Sequence, residues 1–362
     1  MLGETIMLPS IIFDSHCHGR DMEQAYKATV EQTLLEARRG LITTSLFMPN
    51  TSPPIIDFKV LGKYFGLIGL AEAASGKWYQ QYIYFGATDG NFSECRQALK
   101  LPGVIGIKVY PKGKSGKMVT TGSIGVAKDI TILKLFNLSE NAGKPVAFHC
   151  DDPEIIANEG NTIRAESVYV EKILTMALDF PRAKIVICHV SCIESAMLVL
   201  KAQKMGMHVA LELCPHYLWF DSDGTNWNSA LDPVFYHCYN KLRPLQNRLF
   251  LSGLLASNQL VIIGSDNAPH TREEKLEKKM GGLPSNQELV PVILTLARKL
   301  RISNQQVVRL LYLNAAQFFG ISVASELLPY KLEKRVVEAT YNNGKIVNPW
   351  AGSELYFPVP IE

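Results

Sequence analysis

The sequence lacks the features that mark membrane-spanning, secreted and nucleic-acid-binding chains. No apolar run approaches the roughly 18 residues that cross a bilayer. The opening residues MLGETIMLPS carry an acid and no basic segment, so a signal peptide is not expected. The seven cysteines follow no framework, which is typical of a reducing cytoplasm. The net charge is only +3 and the lysine-rich pieces are short, so we expect a cytoplasmic protein without nucleic-acid or membrane partners.

A glycine-rich phosphate loop after the first predicted strand is also missing, which disfavours an open doubly wound sheet. Strand patterns instead alternate with helical patterns, as SIIFDSH, TTSLFMPN, YIYFGAT, GVIGIKVYP, PVAFHCDD, KIVICHVS, MHVALELCPH and LVIIGSDNAPH. Two further helices are predicted near 288–300 and 304–319. Eight such units predict an α/β fold, a single (β/α)8 TIM barrel catalytic domain over 1–362. Residues 217–245 are predicted to be an elaborated loop after the seventh strand, and 320–362 a C-terminal extension packed on the barrel.

Five of the eight predicted strands carry histidine, lysine or aspartate at their C-terminal ends. In barrels, catalytic residues gather at that rim from several strands. His16 and His18 stand one residue apart, so in a strand their side chains share one side. A polar loop would explain that pair alone, because His-x-His is a short motif. Packing does not readily explain why such residues stand at equivalent ends of five strands. We interpret the following residues as metal ligands: His16, His18, Lys108, His149, His189 and Asp266.

The number of candidate ligands indicates two metal ions. Four histidines and one aspartate are too many for one open catalytic zinc and suit two divalent ions. Two metal ions in such a site lie roughly 3.5–4 Å apart and need a bridging anion to offset their repulsion. Lysine itself is a cation without an acceptor. Lys108 could supply the bridge after carbon dioxide adds to its amine and forms a carbamate.

These motifs resemble a known enzyme family. The order His-x-His, Lys, His, His, Asp along the strands resembles the amidohydrolase superfamily with a binuclear centre. Within it, HCHGRD, MPNTSPP, IKVYP, GSDNAPH and NNGKIVNPWAGSEL are similar to dihydroorotases of pyrimidine biosynthesis, over nearly the whole chain from Phe13 to Tyr356. The resemblance implies two divalent ions, with Zn²⁺ the preferred candidate, bridged by carboxylated Lys108 and a hydroxide. It places His16, His18 and Asp266 on the first ion, and His149 and His189 on the second.

The resemblance also implies a substrate-binding set. Its members are Arg20, whose fork suits a carboxylate, Asn50, His270, Asn240 and the pair Thr120 and Thr121. The threonine pair lies in a loop, 111–123, that is either a lid over the substrate or an ordinary surface loop. Two departures from the family pattern stand out. Gly19 precedes Arg20 where many relatives have a large residue, and CYNKLRPL replaces an Asn-Pro-Pro segment. The short N-terminus implies the compact form without a sizeable β-sandwich.

The implied reaction is the reversible cyclisation of N-carbamoyl-L-aspartate to L-dihydroorotate, with Asp266 as general acid and base. A different cyclic amidase, namely a hydantoinase, dihydropyrimidinase or allantoinase, is the alternative. Arg20 argues against it because an uncharged ring offers nothing for a guanidinium to pair with. A third hypothesis is a non-catalytic scaffold that binds a partner such as aspartate transcarbamoylase, although every ligand position is filled. The sequence leaves the oligomeric state open, with a homodimer as one candidate.

Overall fold

The structure is a computed structural model, and it describes residues 5–74, 80–113, 124–322, 324–341 and 344–361. Its strands are, in chain order, β1 (Thr5–Pro9), β2 (Phe13–Cys17), β3 (Thr44–Phe47), β4 (Tyr82–Gly86), β5 (Val104–Val109), β6 (Val146–Phe148), β7 (Ile185–Ile187), β8 (Val209–Leu213), β9 (Val261–Ile263), β10 (Leu327–Val336), β11 (Thr340–Tyr341), β12 (Ile346–Val347) and β13 (Glu354–Pro360). Each of the eight strand patterns found in the sequence overlaps one of the strands β2 to β9, in order.

The α-helices are α1 (Val30–Arg39), α2 (Phe58–Ala74), α3 (Phe92–Ala98), α4 (Asp129–Ala142), α5 (Pro153–Glu159), α6 (Ile163–Met176), α7 (Ile193–Lys204), α8 (Pro215–Trp219), α9 (Leu245–Gly253), α10 (Arg272–Lys278), α11 (Leu289–Lys299), α12 (Asn304–Val308) and α13 (Asn314–Phe319). Short 3-10 turns cover Met22–Gln24, Ala177–Asp179, Pro233–Tyr236 and Leu254–Ala256, and a π-helical turn, Arg309–Leu313, joins α12 to α13. The two late helices predicted from the sequence correspond to α11 and to the continuous stretch from α12 to α13.

Strands β2 to β9 form one parallel sheet in which each strand pairs with the next. Its two edges meet where Cys17 bridges Asn267, and where the Asp266 amide donates to the His16 carbonyl over 2.8 Å. The predicted (β/α)8 barrel is therefore confirmed. Apolar side chains fill its interior, and α13 supplies Phe318 and Phe319 to the same cluster.

Both ends of the chain contribute to a small antiparallel sheet beside the barrel, in the strand order β1, β10, β13. Thr5 pairs with Lys331, and Tyr330 pairs with Pro360. The region predicted as an elaborated loop begins with α8 and folds against the C-terminal segment. Trp227 stacks on Tyr236 with ring centroids 4.3 Å apart, and the Asn228 amide donates to the Ala351 carbonyl. In the described part of the chain, no helix is long and apolar enough to cross a membrane.

Candidate metal centre and active site

The end of β2 carries the His-x-His pair. The two imidazoles have centroids 5.2 Å apart, and both residues are almost fully buried. Asp14, on the same strand, takes a different role. Its carboxylate accepts hydrogen bonds from the backbone amide and hydroxyl of Ser265, over 2.7 and 2.6 Å, and so fastens β2 to the segment after β9. The pair is thereby held at the rim where the barrel closes.

Asp266 completes a three-residue group with this pair. Its Oδ1 lies 3.1 Å from His18 Nε2 and 3.4 Å from His16 Nε2. The potential ligand atoms of the three residues all lie within 4.8 Å of one another. Asp266 has a φ of 48°, a left-handed conformation that is uncommon outside glycine and is concentrated at functional sites.

His149 and His189 follow β6 and β7 and join the same cluster. His149 Nδ1 lies 3.0 Å from His189 Nε2, and the His189 ring lies 5.2 Å from that of His16. On its other side, His149 Nε2 contacts the Asp151 carboxylate at 2.9 Å. All four predicted histidine ligands are therefore brought together.

Lys108 points into this cluster from β5. Its side chain is completely buried, with Nζ 2.9 Å from Cys188 Sγ and 5.2 Å from the centre of the Tyr110 ring. The location suits the bridging role that the sequence implied for this residue.

The donor set fits divalent ions. Burial lowers the pKa of His16, His18 and His189 well below the usual range, which favours the neutral imidazole that binds metals. His149 Nδ1 and His189 Nε2 face each other at 3.0 Å, so an ion shared by the two rings would be bound by these two nitrogens.

Partners behind the histidines orient them. Glu212 Oε1 lies 2.7 Å from His16 Nδ1, and Asn50 Oδ1 lies 2.7 Å from His18 Nδ1. In each case the partner occupies Nδ1 and leaves Nε2 directed at Asp266, the arrangement usual for metal-bound histidine. Asn50, predicted to bind substrate, thus also supports a ligand.

Glu212 was missed in the sequence, although a glutamate inside the apolar strand VALEL is an unusual residue. It is fully buried on β8, where the backbone amide of His189 and the Ser15 hydroxyl also donate to it. Burial raises its pKa to about 7. Potential ligand atoms of His16, Cys188 and Glu212 form a second buried group within 4.8 Å of one another.

An arginine and a histidine lie in contact beside the cluster. Arg20 is buried, with Nη2 3.3 Å from His270 Nε2, and its Nε has no hydrogen-bond partner among the described residues. The preceding glycine is explained by packing. A Cβ at Gly19 would lie 2.2 Å from the Tyr64 hydroxyl and 2.5 Å from the Phe47 ring, so a larger residue would require both to move.

A narrow cleft opens onto the cluster and onto Arg20. Its lining adds residues that the sequence did not suggest, namely Tyr110, Tyr239, Ala268, Gly281 and Gly282. Asn240, predicted to contact substrate, directs its amide nitrogen to Glu166 Oε2 at 2.9 Å, and its neighbour Tyr239 lines the cleft instead. Thr120 and Thr121 lie outside the described residues.

Comparison with known proteins agrees with this fold. The chain matches the amidohydrolase family over residues 6–328 and belongs to that family. Its curated relatives include a dihydroorotase from Thermococcus kodakarensis, 30% identical over 361 residues, which cover 97% of this chain and 80% of the relative. A dihydroorotase from Pyrococcus furiosus is 29% identical over 87% of this chain and 67% of its own length.

Solved structures show the same fold. A dihydroorotase from Saccharomyces cerevisiae, in complex with 5-fluoroorotic acid, gives a TM-score of 0.82 at 19% identity, over 99% of this chain and all of that one. An L-hydantoinase (dihydropyrimidinase) from Arthrobacter aurescens gives a TM-score of 0.80 at 21% identity, over 98% of this chain and 83% of that one. The chain is thus a hydrolase of the amidohydrolase type, and its family and donor set indicate divalent metal ions.

Proposed function

We propose that this chain is a dihydroorotase, which interconverts N-carbamoyl-L-aspartate and L-dihydroorotate. The observation that carries the proposal is the buried Arg20, which lines the cleft beside the histidine cluster and whose Nε has no hydrogen-bond partner in the described part of the chain. Curated dihydroorotases that match most of the chain support the same activity. The substrate carries a carboxylate on the ring, which is the group that a buried guanidinium would pair with.

The carboxylate would bind between Arg20, His270 and Asn50. Arg20 Nη2 donates to His270 Nε2 over 3.3 Å, so a carboxylate that took the place of this contact would lie next to both side chains. Asn50 contacts Nδ1 of His18 through its Oδ1 and lines the same cleft. This arrangement would place the substrate's ring carbonyl towards the histidines.

One divalent ion would be held by His16, His18 and Asp266, and a second by His149 and His189. Zn²⁺ suits these nitrogen and oxygen donors. Lys108, as its carbamate, would reach both ions. When bound, the ions would polarise the ring carbonyl and lower the pKa of an attacking water. The remaining chemistry falls to the protein's own groups.

Asp266 is proposed to move the proton. Its Oδ1 contacts both histidines of the pair, and its Oδ2 lies 3.9 Å from His216 Nε2. In the hydrolytic direction, water oxygen bonds to the ring carbonyl carbon, Asp266 accepts the water proton, and the carbon–nitrogen bond breaks. Asp266 then returns the proton to the leaving ring nitrogen, and ring closure runs the same steps in reverse.

A cyclic amidase acting on an uncharged ring is the second candidate, because hydantoinases share the fold. It leaves Arg20 without a function. Ring closure of N-carbamoyl-L-aspartate by the purified, metal-loaded chain tests the two candidates. Production of dihydroorotate supports the proposal, and hydrolysis confined to hydantoin or dihydrouracil supports the second candidate.

We further propose a cytoplasmic location. All seven cysteines are buried free thiols, which is the state expected in a reducing compartment. A homodimer stays a prediction, as does the absence of nucleic-acid and membrane partners.

A further inference from the structure

A buried polar cluster lies directly behind His270. Lys27 and Glu274 are 3% and 7% exposed, and Lys27 Nζ lies 3.1 Å from Glu274 Oε1. Lys27 belongs to the same short segment after β2 as Arg20, whereas Glu274 lies in the first turn of α10. Tyr26 also donates its hydroxyl to Glu274 Oε1 over 2.6 Å. Nothing in the proposed chemistry uses this pair directly.

Both members of the pair contact the same nitrogen of His270. Lys27 Nζ lies 3.3 Å from His270 Nδ1, and Glu274 Oε2 lies 3.0 Å from it. An ammonium has only donors, so the lysine contact is favourable when Nδ1 carries a lone pair. A carboxylate only accepts, so the glutamate contact is favourable when Nδ1 carries the proton. The two contacts therefore favour opposite tautomers of His270. In the absence of substrate, Arg20 Nη2 is a donor 3.3 Å from Nε2 and adds to Glu274 in favouring the proton on Nδ1.

A bound carboxylate would decide between the tautomers. Burial lowers the pKa of His270 to about 3. The hydrogen bond to Glu274 acts in the opposite direction, whereas the nearby cations Arg20, Lys27 and Lys275 lower the pKa further. The ring is therefore neutral and holds one proton. A substrate carboxylate would replace His270 Nε2 as the acceptor for Arg20 Nη2, and would then need a donor at Nε2. A neutral ring can donate there only if Nδ1 accepts, and Lys27 is the donor placed for it.

We propose that Lys27 is a positioning residue: held by Glu274, it donates to His270 Nδ1 and thereby fixes the tautomer that presents Nε2–H to a substrate carboxylate. This inference rests on the proposed function. It makes Lys27, which does not line the cleft, a determinant of preference for carboxylated rings. A lysine that only closed a structural ion pair with Glu274 would affect folding but not carboxylate affinity.

Binding of orotate, a planar analogue that retains the ring carboxylate, to the metal-loaded chain tests the inference by calorimetry. Lys27→Met removes a charged donor, and we expect the dissociation constant to rise roughly 10-fold to 100-fold. Lys27→Arg should restore part of that affinity, and Lys278→Met, at an exposed position on α10, is the control. A folded Lys27→Met variant that binds orotate within about twofold of the wild type overturns the inference.

A second measurement needs no variant at position 27. Nitrogen-15 NMR of the orotate complex reports which nitrogen of His270 is protonated, with the signal assigned by its loss in His270→Gln. We expect a protonated Nε2 and an unprotonated Nδ1, and a protonated Nδ1 overturns the inference. Failure of the proposed function is a separate result, since a wild type that binds orotate but does not hydrolyse dihydroorotate contradicts the activity and not the tautomer.

Discussion

Glu212 Oε1 lies 2.7 Å from His16 Nδ1, deep in the barrel where both side chains are almost fully buried. The contact fixes the His16 tautomer and leaves Nε2 for the metal side. A carboxylate in this position also makes the imidazole a better electron donor. The pair therefore links β8 to the end of β2 and holds the His16 ring in place from the barrel interior.

Replacing Glu212 by glutamine should weaken metal binding while retaining the shape of the side chain. Loss of such a supporting carboxylate typically lowers metal affinity about 10-fold to 100-fold. Competition with a chelator measures the change, and Glu194→Gln, at an exposed position on α7, is the control. Equal metal affinity in Glu212→Gln and the wild type would show that Glu212 has no supporting role.

Lys108→Ala should abolish activity and the second metal together, because the bridging carbamate disappears. Loss of several kcal/mol of charge stabilisation corresponds to at least about 1,000-fold in kcat/KM. Elemental analysis of the dialysed protein counts the ions, and Lys100→Ala, at an exposed position before β5, is the control. Two ions bound to a fully active Lys108→Ala variant would end the carbamate-bridged account.

Arg20→Met should impair turnover of dihydroorotate with both metals still bound. Truncating one partner of a buried charged contact costs roughly 2–5 kcal/mol, or about 30-fold to several thousand-fold in kcat/KM. Steady-state kinetics and a thermal melt separate the effect on substrate from any effect on folding. Arg96→Met, at an exposed position on α3, should behave as the wild type. An unchanged kcat/KM for Arg20→Met would move the second candidate, a cyclic amidase, forward.

The stability of the folded protein should depend on pH through Glu288, which lies away from the histidine cluster. It is fully buried, bonded by the Tyr341 hydroxyl and the Asn348 amide, and burial raises its pKa from 4.5 to about 8. Between those values the folded state keeps a proton that the unfolded state releases. The free energy of unfolding should therefore fall as pH rises, by up to about 1.4 kcal/mol per pH unit from this group.

Glu288→Gln has no such proton and removes this contribution. Urea unfolding of both proteins at about pH 5 and about pH 8 gives the change in the free energy of unfolding with pH for each. Other titrating groups contribute equally to both proteins, so the difference between the two changes reports Glu288. We expect the wild type to lose stability relative to Glu288→Gln as pH rises. Parallel pH profiles would show that Glu288 is ionised in the folded protein.

The barrel and the histidines gathered at its rim could be predicted because each depends on a local pattern. His16, His149 and His189 lie at or next to the ends of apolar strands, and parallel strands in a closed barrel bring their ends to one rim. The supporting contacts could not be predicted in the same way. Glu212 meets His16 across 196 positions of sequence, and Lys27 meets His270 across 243. No local period encodes such pairs, since they depend on how the barrel closes.

Irregular segments were the least predictable part of the site. Tyr239 and Gly281 come from separate loops that can approach closely because position 281 is a glycine: a Cβ there would lie 2.4 Å from the tyrosine ring. Composition did not distinguish Tyr239 from its neighbour Asn240, whose amide faces Glu166 instead of the cleft. Loop backbones set such directions, and their conformation follows from packing over the whole fold.

The ratio of kcat/KM for dihydroorotate to that for dihydrouracil, measured on one metal-loaded preparation, tests the central claim most directly. The two rings differ in the carboxylate that Arg20 and His270 are proposed to bind. We expect dihydroorotate to be favoured by about 30-fold to several thousand-fold, the range set by a buried charged contact. Equal use of the two rings, or a preference for dihydrouracil, would contradict the assignment.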